Sequence, residues 1–161
     1  DALLQKSGAK TRWAVAGRDL SKLKRLARYL KTKPAAIQAR TPVEVAAMVK
    51  STRVVIGAAG PFHLVGEDVV RECVNGRTHY VDITGEVPWV RRMIDRYHAR
   101  AKENGVMIVH CAAAVCSPDE ILCYSLVKKL GPLRQYREYF CQYGGMSGGT
   151  FSTSLTSMST M

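Results

Sequence analysis

Asp82, Thr84 and Glu86 place two carboxylates and a hydroxyl in one short segment, at the end of the apolar run His79 to Ile83. Such a cluster can orient a substrate hydroxyl or amine, or take part in proton transfer. The competing reading is structural: Asp82 and Glu86 pair with Arg91 or Arg92 and cap the helix that follows. Gly60-Pro61 closes the preceding apolar run, VVIGAAG. Small residues there let a flat cofactor approach the backbone, and the proline fixes the chain direction. Gly17-Arg18 closes an earlier run, TRWAVA. In a dinucleotide fold, an arginine near that strand end accommodates a ribose 2′-phosphate, whereas an acid binds the 2′-OH. Lys22 lies one helical turn on and adds a second cation. Asp19 either opposes these charges or caps the helix. A solvated strand-end arginine is the alternative.

The elements that must hold these residues alternate in type. Strands are expected at 11–16, 37–39, 54–58, 79–83, 106–111 and 133–143. Helices are expected at 19–31, 42–50, 67–75, 88–104 and 118–130, with residues 1–5 as the tail of another. The first of these carries Leu20, Leu23, Leu26, Ala27 and Leu30 on one face. Pro42 fits a first helical turn, Gly76 and Gly105 fit helix ends, and Ser117 fits an N-cap. In the basic helix 88–104, Val90, Met93, Ile94, Tyr97 and Ala101 form the inner stripe. Tyr80 and Trp89 read as core, and His98 as a surface histidine. Strands alternating with helices imply an α/β fold with a doubly wound parallel sheet. Ligands then sit outside the carboxyl ends of the strands, where Gly60, Pro61, Asp82, Thr84, Gly85 and Glu86 fall.

The 161 residues suffice for one domain with a real core. No segment reaches the ~18 apolar residues that span a bilayer, and the first residues do not read as a signal peptide, so a secreted protein is not expected. Lys and Arg number 24 against 13 acids, a net charge of +11. That excess could attract nucleic acid, anionic lipid or a phosphorylated small molecule. The basic helices lack interleaved aromatics, so nucleic acid is not expected as a partner. Cys73, Cys111, Cys116, Cys123 and Cys141 form no Cys-x-x-Cys pair. They read as reduced thiols, mostly in the core, and no metal site is expected. No nucleophile constellation emerges: Ser117 and Ser147 lack an evident base. Ser147-Gly148-Gly149-Thr150 reads either as an anion-binding helix start or as a flexible turn.

The order of AGR at 16–18, GPF at 60–62, GE at 66–67, THYVDITGE at 78–86, MIDRYHARA at 93–101, GVMIVH at 105–110 and GGMSGGT at 144–150 resembles the saccharopine dehydrogenase-like oxidoreductases. It is most similar to the branch that includes trans-acting enoyl reductases, and the resemblance covers most of the chain. It implies a Rossmann domain that binds NADP or NAD, expected at 1–131, followed from 132–161 by the start of an α/β substrate domain. It implies a redox reaction on a lipid-like or amino-acid-like small molecule. For eukaryotic members it implies an association with membranes or lipid droplets. That makes the cytoplasmic side of such a surface, or the mitochondrion, the expected location. By position, Gly17, Arg18, Lys22, Gly60 and Pro61 would line the cofactor. Asp82, Thr84, Gly85 and Glu86 would border the nicotinamide and substrate, and Ser147, Gly148, Gly149 and Thr150 would enter the substrate cleft. A non-catalytic binding or scaffold module at a membrane or lipid-droplet surface is the alternative.

Three departures from the family pattern stand out. The Gly-rich turn that opens the family's domain is not in the sequence. The G-F-D-S-x-P-x-D segment reads Ala113-Ala114-Val115-Cys116-Ser117-Pro118-Asp119-Glu120 here, keeping Ser117 and Pro118. The substrate domain stops soon after it begins. In the strand order 3-2-1-4-5-6, strand 1 lies between strands 2 and 4. Without it, the strands at 11–16 and 54–58 expose unpaired edges. The expectation is therefore a fragment of marginal stability that binds NADPH poorly by itself, which micromolar binding in a thermal-shift titration would refute.

Overall fold

The computed structural model describes residues 11–113, 116–139, 141, 144, 145, 151 and 155. The chain forms two compact units, one ending at Arg53 and the next beginning at Val54. Both are built from parallel strands alternating with helices, so the α/β expectation holds.

The first unit runs β1 (Ala14–Gly17), α1 (Leu20–Tyr29), β2 (Ala35–Gln38), α2 (Pro42–Lys50). β1 and β2 pair in parallel, with Ala14 opposite Ala35 and Gly17 opposite Gln38. One more bond, Ala39 N–H to Gly17 O at 2.9 Å, carries the pairing past the strand end. Asp19 caps α1 by accepting the Lys22 N–H at 3.0 Å, which settles its role at this helix end. Of the expected apolar face, Leu20, Leu23, Ala27 and Leu30 are half-buried, but Leu26 is exposed. Thr41 and Glu44 close a reciprocal capping box on α2, with Pro42 in its first turn. Val45 and Val49 are the buried residues of α2.

The second unit runs β3 (Val54–Gly57), α3 (Phe62–Val65), α4 (Glu67–Asn75), β4 (His79–Asp82), α5 (Val87–Glu103), β5 (Ile108–Val109), α6 (Ser117–Leu130). Its three-stranded sheet has the order β3-β4-β5 and is all parallel. Gly57 stands opposite Asp82, so the loops after β3 and β4 leave from neighbouring strand ends. Side chains alternate across a strand. Tyr80 is buried on the side of the sheet that carries the core, whereas Ile56 of β3 is exposed. Val70, Cys73 and Val74 of α4 are buried, as are Trp89, Met93 and Ala101 of α5. Burial of each such side chain is worth ~1.5–3 kcal/mol for the larger apolar residues.

The helix ends show how the sequence sets these lengths. Gly105 takes φ +66° after α5. Its N–H reaches Lys102 O at 3.2 Å, and Val106 N–H reaches Ala101 O at 2.8 Å. This is a Schellman arrangement, and Ala101 and Val106 pack in one buried cluster with Val74. At the end of α4 the left-handed residue is Arg77, φ +55°, and not the expected Gly76, φ −84°.

A short helix, α3, stands in the segment after Pro61. Three expectations are corrected. The N-cap of α6 is Cys116, with Ser117 already helical. No strand forms among the described residues of 133–143, because an alternating segment becomes a strand only where a neighbouring strand offers a ladder. Cys73 is buried, but Cys111, Cys116 and Cys123 are half-buried and Cys141 is exposed, all as free thiols. The 1–5 helix and the segment Ser147 to Thr150 lie outside the described residues.

Candidate functional site

The carboxyl ends of β1 and β2 carry the candidate site of the first unit. Arg18, Asp19, Leu20, Ser21, Gln38 and Arg40 line an open cavity of about 580 Å³. Arg18 belongs to that lining, whereas Gly17 does not and is half-buried at the end of β1. Lys22 turns to its own N-cap instead, with Nζ 3.9 Å from Asp19 Oδ2 and both side chains exposed. Gln38 Nε2 donates to Arg18 O at 3.4 Å, tying the two strand ends together. Arg40 had drawn no notice in the sequence. Its backbone N–H donates to Glu44 Oε2 at 2.8 Å, beside the Thr41 N–H at 2.9 Å. These backbone donors hold the Glu44 carboxyl below the usual carboxylate range. The capping box of α2 thus fixes the place of Arg40. The cavity is cationic, polar and open to solvent, a setting for an anion such as a phosphate ester.

The ends of β3, β4 and β5 are built differently. Asp82, Thr84 and Glu86 form successive turns: Thr84 N–H donates to Asp82 Oδ1 at 3.1 Å, and Glu86 N–H donates to Thr84 Oγ1 at 3.0 Å. All three residues are buried. Asp82 also accepts the Cys111 N–H at 3.1 Å, and its Oδ2 lies 2.6 Å from His110 Nδ1. The His110 ring is edge-on to Trp89 and Tyr80, with centroids 5.2 and 6.0 Å away. Burial and the adjacent Asp82 carboxylate push the Tyr80 hydroxyl pKa up.

Glu86 closes the loop after β3. Its Oε1 accepts the Phe62 N–H and its Oε2 the His63 N–H, each at 2.8 Å, and Oε2 lies 2.7 Å from His63 Nδ1. Neither acid pairs with Arg91 or Arg92 as the structural alternative expected. Arg91 instead pairs with Asp95 on its own helix, where i, i+4 spacing brings the two side chains together. The histidines win because the parallel register sets their loops beside the two carboxylates.

Gly60 and Pro61 are joined by a cis peptide bond, and Gly60 and Gly85 are exposed, with nothing within 4 Å of where a Gly85 Cβ would stand. Thr84 is buried and spends its hydroxyl on the backbone of Glu86. Gly57 serves packing: a Cβ there would lie 2.5 Å from Tyr80 Oη. Burial raises the Cys73 thiol to about 12, and burial followed by the neighbouring Cys116 thiol raises Cys111. Among the described residues, no three His, Cys, Asp or Glu side chains converge as a metal site would require.

His63 and His110 were missed by sequence reasoning. Each lies more than twenty residues from its carboxylate partner, and no local spacing announces such a pair.

Residues 1–109 match the saccharopine dehydrogenase NADP binding domain. A lipid droplet localized protein of Caenorhabditis elegans is 32% identical over 87% of this chain and 35% of its own length. A trans-acting enoyl reductase of Mycobacterium tuberculosis is 30% identical over 78% of this chain and 31% of its own. The chain therefore spans about a third of the length of these relatives. Apo saccharopine dehydrogenase (L-Glu forming) from Saccharomyces cerevisiae shares the fold, with a TM-score of 0.64 at 16% identity, over 77% of this chain and 26% of that one. With two-thirds of its residues inside the family match and parallel α/β units of the kind that family builds, the chain belongs to the saccharopine dehydrogenase NADP-binding domain family, whose cofactor is NAD(P).

Proposed function

We propose that the chain is the cofactor-binding part of an NADP-dependent oxidoreductase that acts on a lipid-like or amino-acid-like substrate. The observation that carries this reading is the pairing of Arg18 and Arg40 around the cavity at the ends of two adjacent parallel strands. Two guanidinium groups, the Gln38 amide and the Ser21 hydroxyl fit a 2′-phosphate, which takes charge-assisted bonds best from planar guanidinium forks. Asp19 caps α1 through Oδ1 and also lines the cavity, where the two guanidinium groups outweigh its single negative charge. In this reading Gly17 and Arg18 border the adenosine ribose, with Lys22 as a more distant cation. Gly60, Pro61, Thr84 and Gly85 border the nicotinamide end. The bound cofactor supplies or accepts a hydride.

Asp82 and Glu86 act here by holding loops and histidines in place. In this reading residues 1–131 are the dinucleotide-binding part and 132–161 begin a substrate domain, with Ser147, Gly148, Gly149 and Thr150 as its substrate-cleft candidates. The names of the mycobacterial and yeast relatives support a redox role.

The nematode relative's name favours a second reading, a non-catalytic module at a lipid-droplet or membrane surface. No helix among the described residues is long and apolar enough to cross a membrane, so such contact would be peripheral.

The test is titration of NADPH and NADH into the intact protein, followed by nicotinamide fluorescence. NADPH is expected to bind more tightly than NADH. Arg18→Ala and Arg40→Ala should each remove about 10–100-fold of that preference, the equivalent of one or two charged hydrogen bonds. Equal affinity for the two cofactors, unchanged in both variants, would overturn the NADP reading. Lipid-droplet binding by a protein that binds neither cofactor would favour the second one.

A further inference from the structure

We propose that His63 is the proton-transfer residue of the strand-end site; the inference rests on the oxidoreductase reading above. A nicotinamide cofactor carries a hydride and no accompanying proton, so reduction of a double bond needs a separate acid. At the ends of β3, β4 and β5, the titratable groups sort themselves by geometry. The Asp82 side chain is fully buried and engaged by two backbone N–H groups and a histidine. That of Glu86 is 5% exposed and engaged by two backbone N–H groups and a histidine. The His110 side chain is 9% exposed and lies between aromatic rings. The His63 side chain is 21% exposed, and it is the most open of the four.

The contacts also fix the state of its ring. Backbone N–H groups donate to both oxygens of Glu86, one to each, so the oxygen beside His63 Nδ1 is an acceptor. Nδ1 therefore carries a proton, and the exchangeable position is Nε2. A buried carboxylate 2.7 Å from Nδ1 orients the ring and leaves Nε2 as the nitrogen for proton transfer. His63 is anchored as well as oriented, because its own N–H is bound to the same carboxylate at 2.8 Å.

In the reducing direction, the His63 imidazolium gives its Nε2 proton to one atom of a polarised double bond. The other atom receives the hydride that NADPH supplies. The substrate gains two electrons, NADPH loses two, and the imidazole regains its proton from solvent. In the oxidising direction His63 Nε2 accepts the proton.

The experiment uses the intact protein with NADPH as the probe. Diethylpyrocarbonate modification is mapped by mass spectrometry on His63, with exposed His98 as the internal control. Saturating NADPH is expected to slow modification of His63 at least about tenfold while leaving His98 unchanged, as burial of a reactive nitrogen under a ligand requires. In parallel, His63→Gln should keep NADPH affinity and lower turnover of an enoyl thioester probe, crotonyl-coenzyme A, by about 10²–10⁴-fold. The protection arm places His63 whether or not that thioester is turned over. NADPH binding by fluorescence with His63 still freely modified would overturn this inference and leave the oxidoreductase reading standing. Unchanged turnover in His63→Gln would do the same. Absence of any NADPH binding would overturn both.

Discussion

The two sets of strand ends occupy the same topological position and have opposite characters. After β1 and β2, Arg18 and Arg40 stand exposed around an open cavity, and the surrounding hydrogen bonds are local ones that fix the backbone. After β4, Asp82 and Glu86 are buried, and their oxygens are filled by backbone donors and by histidines from other loops. A strand end that keeps its charges in water is ready for a ligand at little structural cost. One that buries its charges must first satisfy them, because an unpaired buried carboxylate is expensive. The first therefore reads as binding chemistry. The second reads as a scaffold that leaves only its half-exposed histidine for chemistry.

The largest test of this contrast is Asp82→Ala. It leaves the Thr84 and Cys111 N–H groups and the His110 ring without their acceptor inside a buried site. A loss of roughly 3–5 kcal/mol is expected in denaturant unfolding. Asp82→Asn keeps one carbonyl oxygen and should lose less. If Asp82→Ala unfolds like the wild type but abolishes turnover, Asp82 is a reacting group and the contrast fails.

Next comes Gly66→Ala. A Cβ at Gly66 would lie 2.7 Å from Trp89 Cζ2 and 2.8 Å from Phe62 O, against one ring and one backbone atom. A loss of about 1–3 kcal/mol in thermal or denaturant unfolding is expected. Retained stability would mean that the loop held by Glu86 has room to shift.

On the other side of the comparison, Arg18→Ala and Arg40→Ala should change unfolding by no more than about 0.5 kcal/mol. Their effect belongs to the NADPH titration. A variant that melts early would show that the cationic pair holds the fold.

The smallest expected effect is at Glu67, which ties α4 to α5 by accepting from Arg96 Nη1 at 2.7 Å and Tyr97 Oη at 3.0 Å. The Arg96 hydrogen bond, assisted by Tyr97, holds the Glu67 carboxyl below the usual range. Its folded pKa is thus depressed, so its stabilisation is present above the unfolded value of about 4.3 and is lost as pH falls through the folded one. For a partly exposed pair this amounts to about 0.5–1 kcal/mol. Unfolding free energies at neutral and acid pH should fall further in the wild type than in Glu67→Gln, and equal falls would remove the pair from the account.

Much of the fold is legible in the sequence. The 42–50 helix reads off Pro42, and the element order follows from apolar runs broken by Gly and Pro. Such signals are local, carried by neighbours in sequence through φ preferences, caps and side-chain periodicity. The strand expected at 133–143 fails for the complementary reason, since alternation is local but a ladder needs a partner. The candidate site divides along the same line. Arg18 announces itself at a strand end, and the Asp82-Thr84-Glu86 spacing builds its own turns.

What the tertiary structure alone decided is which partner each charge receives. Arg40 joins Arg18 because β1 and β2 pair in parallel with Gly17 opposite Gln38. Glu86 meets His63, and Asp82 meets His110, because parallel strands carry loops from distant parts of the chain to one edge. The sequence determined the types of chemistry available, a phosphate-seeking guanidinium and a carboxylate cluster. Burial and register then turned the carboxylates inward and left a histidine between them and solvent. Those two properties belong to the packed chain, where desolvation and long-range contact are set together.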